Sequence, residues 1–152
     1  MELRPATLND VPELVKLGHA FIQEAPNYQT RPYIAEKAAE NFTRLIRGGG
    51  AVLLVEHESQ IAGGIVGRVG GDWFNGSKIA FDDVLYVKPE FRKTRAAYML
   101  IQAFIRWAQL MGASRIQCGT TTGVESAACV RLYEHFGFAE YGTVLDLELK
   151  HE

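Results

Sequence analysis

Residues 79–87 (IAFDDVLYV) run into a short basic loop, KPEFRKT, and the loop opens a segment with Ala97, Leu100, Ile101, Phe104, Ala108 and Met111 at helical spacing. A strand, a short loop and a long amphipathic helix in this order constrain the fold more than any other stretch. The first turn of a helix has backbone N–H groups with no partner, and the strand before it aims them at one point. Such a turn carries partial positive charge and suits a phosphate. The helix also acts as a crossover, so the next strand, expected over 115–119 (RIQCG), should lie parallel to the first.

Other elements follow in chain order. Glu2, Leu3 and Arg4 form a short first strand. Thr7 and Asp10 are spaced as a capping box, and Pro12 suits the first turn of the helix carrying Val11, Leu14, Val15, Leu17, Phe21 and Ile22. Two prolines make 24–33 irregular. Ile34, Ala38, Phe42, Leu45 and Ile46 mark a second helix, which three glycines stop. A hairpin follows, 51–57 turning at Glu58 and Ser59 into 61–70, although its glycines weaken the second strand. The GGDWFNGS stretch is turn chemistry leading to the key strand, 78–87. A helix over 126–136 ends at Gly137, and 138–149 alternates Leu145, Leu147 and Leu149 with polar residues, as a half-buried strand does. The order β-α-α-β-β-β-α-β-α-β predicts an α/β (α+β) fold. Its sheet is mixed and mostly antiparallel, with one βαβ crossover and helices on both faces, in a single domain over 1–152.

Composition excludes several classes. With 47% hydrophobic and 22% charged residues the chain is an ordinary folded one, and a net charge of −2 offers no basic stripe for nucleic acid. No apolar run is long enough to span a membrane, and the N-terminus lacks a signal-peptide pattern. Cys118 and Cys129 have no metal-spaced partners, and four scattered histidines supply none, so no metal site is expected. These features predict a cytoplasmic, reduced protein.

Two motifs about thirty-five residues apart, YVKPEFRKTRAA and CVRLYEHFGF, together with the order of elements, resemble the GNAT superfamily of N-acetyltransferases. The resemblance extends from LRPATLNDVPELVKL nearly to the C-terminus. It implies acetyl-CoA as cosubstrate and an amine-bearing acceptor, small molecule or protein. The family's phosphate loop, R/Q-x-x-G-x-G/A, falls on Arg92, Lys93, Thr94, Arg95, Ala96 and Ala97, so Arg95 stands where relatives carry glycine. A side chain there crowds the pyrophosphate or pairs with it through its guanidinium. Leu85, Tyr86 and Val87 would present backbone to the pantetheine arm as a missing strand would. Tyr133 matches the tyrosine that often protonates the leaving thiolate, and it also fits a core aromatic at helical spacing. Ser126 takes the place of a frequent asparagine.

Removing a proton from the attacking amine calls for a base. Asp82 and Asp83 interrupt an apolar strand, and alternation points only one of them at the cleft. Family spacing selects Asp83, whose other reading is a pair with Arg68 across the hairpin. Glu24 and Tyr28 in the irregular segment, and Trp73 with Phe74 in the hairpin loop, are candidates for the acceptor wall. The exposed aromatics also suit a homodimer contact. A regulatory module that binds CoA without turnover is the alternative to an active enzyme.

Overall fold

The computed structural model describes residues 1–151. Five strands form one open sheet in chain order: β1 (Glu2–Pro5), β2 (Ala51–His57), β3 (Gln60–Gly71), β4 (Lys78–Val87) and β5 (Arg115–Gln117). Neighbours are antiparallel except β4 and β5, which are parallel across the crossover. Four α-helices pack on the sheet: α1 (Val11–Glu24), α2 (Ala35–Arg44), α3 (Ala96–Leu110) and α4 (Ser126–His135). The mixed, mostly antiparallel α/β fold is the one the periodicities predict.

Period-two alternation on β2 divides the core. Val52 and Leu54 pack with Leu14 of α1 and with Leu45 in the turn that follows α2, while Val55 faces α3 with Leu100, Phe104 and Ala108. Helices therefore cover both faces. At the start of α1, the Asp10 carboxylate accepts the Thr7 N–H at 2.7 Å, one half of the expected capping box.

The β2–β3 turn places both Glu58 (φ 51°) and Ser59 (φ 64°) in the left-handed region, the geometry of a type I′ turn. Neither residue favours it. Replacing the pair with Asn-Gly is expected to stabilise the fold by about 1 kcal/mol, measured by urea unfolding.

One expected strand is absent. Residues 138–149 pair with nothing in the sheet, and Leu145, Leu147 and Leu149 are 89, 82 and 68% exposed. Alternation establishes that these leucines share a face, but a strand also needs an edge to bond to. The fifth strand is likewise shorter than expected, because β4 and β5 part after Gln117.

Candidate active site

The parting of β4 and β5 creates the site. Pairing runs only from Ile79–Arg115 to Phe81–Gln117. At the apex the Gly119 N–H donates to Asp82 Oδ1 at 3.2 Å, and beyond it Leu85, Tyr86 and Val87 have β3 on one side alone. Backbone groups on the other side are free for an extended ligand.

Above the split, the loop into α3 is braced from within. Arg92 donates through Nε to the Val87 carbonyl at 3.0 Å, and both of its Nη groups bond the Glu24 carboxylate, Nη2 at 2.7 Å. This fork joins the end of α1 to the end of β4 and holds the Glu24 carboxyl below its ordinary range. Glu24 thus braces the loop, and Arg92 is already engaged. Thr94 Oγ1 donates to the Phe91 carbonyl at 2.5 Å and accepts the Ala96 N–H at 3.2 Å. Ala96 is fully buried against the core. Lys93 is exposed.

Arg95 has φ −80° and ψ 1°, a conformation open to any L-residue, so the backbone does not require glycine there. Its guanidinium lies over the Tyr98 ring, 5.9 Å from the centroid, one turn along α3. Among the described residues, the N–H groups of Lys93, Arg95, Ala97 and Tyr98 have no acceptor. They form the donor set expected of an anion-binding helix start. Two contrasting outcomes follow. Arg92→Gln should weaken CoA binding about tenfold by loosening the brace, whereas Arg95→Ala should change it less than about threefold, both by calorimetry.

Tyr133 projects from α4 and is buried, with Oη donating to Asp82 Oδ2 at 3.3 Å. Burial, with the nearby Asp83 charge adding to it, pushes the Asp82 carboxyl up to about 6. Burial and the Asp82 charge push the Tyr133 phenol upward, and the same two causes push the Cys118 thiol up to about 12. Cys118 is therefore a protonated, unreactive neighbour at neutral pH.

Asp83, the residue chosen by spacing, lies elsewhere. The β3–β4 register jumps from Val66–Val84 to Gly67–Asp82, which leaves Asp83 as the unpaired residue of a β-bulge. Its carboxylate pairs with Arg68 at 3.0 Å on the exposed side. Sequence reasoning set aside Asp82, although alternation had left one aspartate of the two for the cleft.

Tyr28 and Trp73, the other acceptor candidates, lie on different elements. Asn27 and Tyr28 tie the irregular segment to the loop before α4: the Asn27 N–H donates to the Thr122 carbonyl at 3.1 Å, and Tyr28 Oη lies 2.6 Å from Thr121 Oγ1. Phe21 meets both Tyr28 and Tyr86 edge-on, joining this wall to β4. Trp73 is not part of it. It is 93% exposed in the β3–β4 turn, at the opposite end of β4 from the loop. Ser126 opens α4 and makes no side-chain hydrogen bond among the described residues, so its position near the site rests on the helix alone.

Residues 16–138 match the family model described as "Acetyltransferase (GNAT) family". This chain belongs to the GNAT acetyltransferase family. Acyl transfer is accordingly its enzyme class. Solved structures share the fold at low identity. An integron cassette protein from the mobile metagenome of Cole Harbour Salt Marsh is 23% identical with a TM-score of 0.78, covering 99% of this chain and 91% of that one. An aminoglycoside 6'-N-acetyltransferase from Acinetobacter haemolyticus is 17% identical with a TM-score of 0.74, covering all of both chains. A ribosomal-protein-alanine N-acetyltransferase from Brucella melitensis biovar Abortus 2308 is 17% identical with a TM-score of 0.73, covering 98% and 100%. No curated protein matches the chain in sequence.

The GNAT cosubstrate fits the residues present. The free β4 edge at Leu85, Tyr86 and Val87 suits an extended amide-bearing arm, and the open N–H groups from Lys93 to Tyr98 suit a pyrophosphate. Exposed Lys93 and Arg95 add positive charge beside them. Among the described residues, no helix is long and apolar enough to cross a membrane.

Proposed function

We propose that this chain is an acetyl-CoA-dependent N-acetyltransferase that moves the acetyl group directly to a primary amine. The observation that carries the proposal is the Asp82–Tyr133 hydrogen bond at the apex of the β4–β5 split. Acetyl-CoA supplies the activated acetyl thioester, whose sulfur must gain a proton as it leaves.

The residues divide the work. Backbone donors at Lys93, Arg95, Ala97 and Tyr98 hold the phosphates, and the free edge of β4 orients the arm. The Asp82 carboxylate, raised to about 6, is ionised at pH 7 yet basic enough to take a proton from an ammonium as the amine becomes nucleophilic. Tyr133 Oη hands its proton toward the leaving side and is refilled from Asp82 Oδ2. One proton enters at the carboxylate as one leaves at the phenol, and the second proton that the ammonium sheds on becoming an amide passes to solvent. A phenol pushed upward by burial is a reluctant acid alone, and the neighbouring carboxyl is what makes its proton replaceable.

Asp82 replaces Asp83 as the base in this reading. The ordinary backbone conformation at Arg95 and the turn of its guanidinium onto the Tyr98 ring support a loop still able to take a phosphate. Residues 1–152 would act as one acetyltransferase unit, in a cytoplasmic setting that suits two free thiols.

The acceptor is an amine enclosed by Tyr28, Phe21 and Tyr86. Aminoglycosides and ribosomal-protein alanine, named for two structural relatives, belong in the first panel. Thioester consumption should be followed across that panel with Tyr133→Phe beside the wild type. The variant is expected to lose about 10²-fold in kcat with little change in CoA affinity. Unaltered turnover would remove Tyr133 from the proton path, and failure of the wild type to bind CoA by calorimetry would remove the function.

A further inference from the structure

The β3–β4 hairpin reaches past its neighbour. β2 begins at Ala51 opposite Gly67, so residues 68–71 pair with β4 alone, at the end of the sheet away from the phosphate loop. The tip carries Trp73 and Phe74, 93 and 66% exposed, with their rings edge-on at 5.4 Å. The turn is closed from within. The Asp72 N–H donates to the Ser77 carbonyl at 2.8 Å, the Gly76 N–H to the Asp72 carbonyl at 2.9 Å, and the Ser77 N–H to Asn75 Oδ1 at 2.8 Å. Two apolar rings are thus held out in water, where they do nothing for the fold.

The end of α3 widens the apolar surface. Leu110 and Met111 are 82 and 43% exposed there. Lys78 ties them to the base of the hairpin: its Nζ donates to the Met111 carbonyl at 3.3 Å, and its own carbonyl accepts the Ser114 N–H at 2.9 Å. Charge at this end has one prevailing sign. Arg47, Lys78, Arg106 and Arg115 are exposed, and among the described residues none of them pairs with a carboxylate. Arg106 lies one turn before Leu110 on the same stripe of α3. Asp10 and Asp83 are already paired with Arg4 and Arg68, which leaves Asp72 and Glu13 as the opposing charges. The chain as a whole is at −2, so this end runs against the rest.

We propose that this end of the molecule docks on an anionic lipid surface. Trp73 and Phe74 enter the boundary between headgroups and acyl chains, and the four cations face the anionic headgroups around them. Amphipathic aromatic rings favour that depth, and aliphatic Leu110 and Met111 suit it too. A single-stranded nucleic acid would stack on the rings but leave Leu110 and Met111 against nothing. A second copy meeting this end would set like charges against each other. The phosphate loop and the β4–β5 split lie at the other end of β4, so the docked molecule keeps its candidate site open to solvent. The docking does not rest on the acetyl-transfer reading.

Vesicles of phosphatidylcholine with about one-third phosphatidylserine are expected to move the tryptophan emission of the full chain to shorter wavelength and to carry the chain down on centrifugation. Phosphatidylcholine alone, or about 0.5 M salt, should do neither. The other tryptophan, Trp107, stacks on buried Phe104, so Trp73→Ser should abolish the shift. Cosedimentation should fall at least about tenfold in Trp73→Ser with Phe74→Ser, and by a similar factor in Lys78→Glu with Arg106→Glu. All four side chains are exposed, and circular dichroism checks that each variant folds. If the charge variant unfolds, the aromatic one decides. Wild type that stays in solution at about 1 mM anionic lipid, or binding that survives loss of both rings, would overturn the proposal. So would equal binding to uncharged vesicles. Binding of a single-stranded oligonucleotide that Trp73→Ser abolishes, or a dimer that it dissociates by light scattering, would give the surface a different occupant and overturn it as well. None of these measurements uses an acetyl donor or acceptor, so their failure and that of the proposed reaction are read separately.

Discussion

Asp82→Asn is expected to lower kcat/KM for acetyl transfer by about 10²- to 10⁴-fold, the range spanned by general acid–base catalysis. The same change should remove the limb of the pH–rate profile near pH 6, where the wild-type carboxyl ionises. Stability should move the other way. Folding raises this group from an ordinary 3.8 to about 6, so between those values the folded chain holds a proton that the unfolded chain releases. Wild-type stability therefore falls as pH rises through that window, by about 3 kcal/mol in all. The amide variant should lack this fall and be the more stable protein at pH 7. It still accepts the Gly119 N–H, which keeps the apex of the split closed. Loss of activity with gain of stability is the signature of a carboxylate kept for chemistry. A variant that loses both would instead mark Asp82 as a structural support. Asp83→Asn, on the exposed side of the strand, should change turnover less than about threefold.

What could be read in the sequence was local. The strand, loop and helix at 78–110 follow from periodicity, and the helix start carries its anion-binding donors whatever its side chains are. Three features depend on residues far apart and were not legible. The Glu24–Arg92 fork joins residues 68 positions apart, so each was assigned separately, one to the acceptor and one to phosphate. The choice between Asp82 and Asp83 turns on a bulge, and a bulge is a property of the register between two strands. The final strand was recognised by its alternating leucines, yet its pairing edge lies outside anything periodicity encodes. In each case composition named the right residue types, and tertiary register decided what they do.

Gly67→Ala should destabilise the fold by about 3 kcal/mol, and Gly67→Val by more, because overpacking here has nowhere to relax. A Cβ at this position would stand 2.4 Å from the Phe81 carbonyl oxygen and 2.5 Å from the Phe104 ring. Phe104 is fully buried among the α3 core residues, and Phe81 offers backbone, so neither can swing aside. Gly67, one of the glycines that weaken the intrinsic strand preference of β3, is what lets α3 lie close on the sheet. For a domain of this length, 3 kcal/mol corresponds to a fall in Tm of roughly 10 °C. Gly71→Ala on the same strand meets nothing within 4 Å and should change stability by less than about 0.5 kcal/mol. Adding Phe104→Leu to Gly67→Ala would relieve the ring contact and leave the carbonyl contact, so rescue should be partial. Gly67 is also the cross-strand partner of Asp82, at the register jump that exposes Asp83. Pushing β4 outward there moves the carboxylate away from Tyr133. The folded fraction of Gly67→Ala should therefore lose turnover beyond its loss of stability, measured per folded molecule at a temperature well below its midpoint.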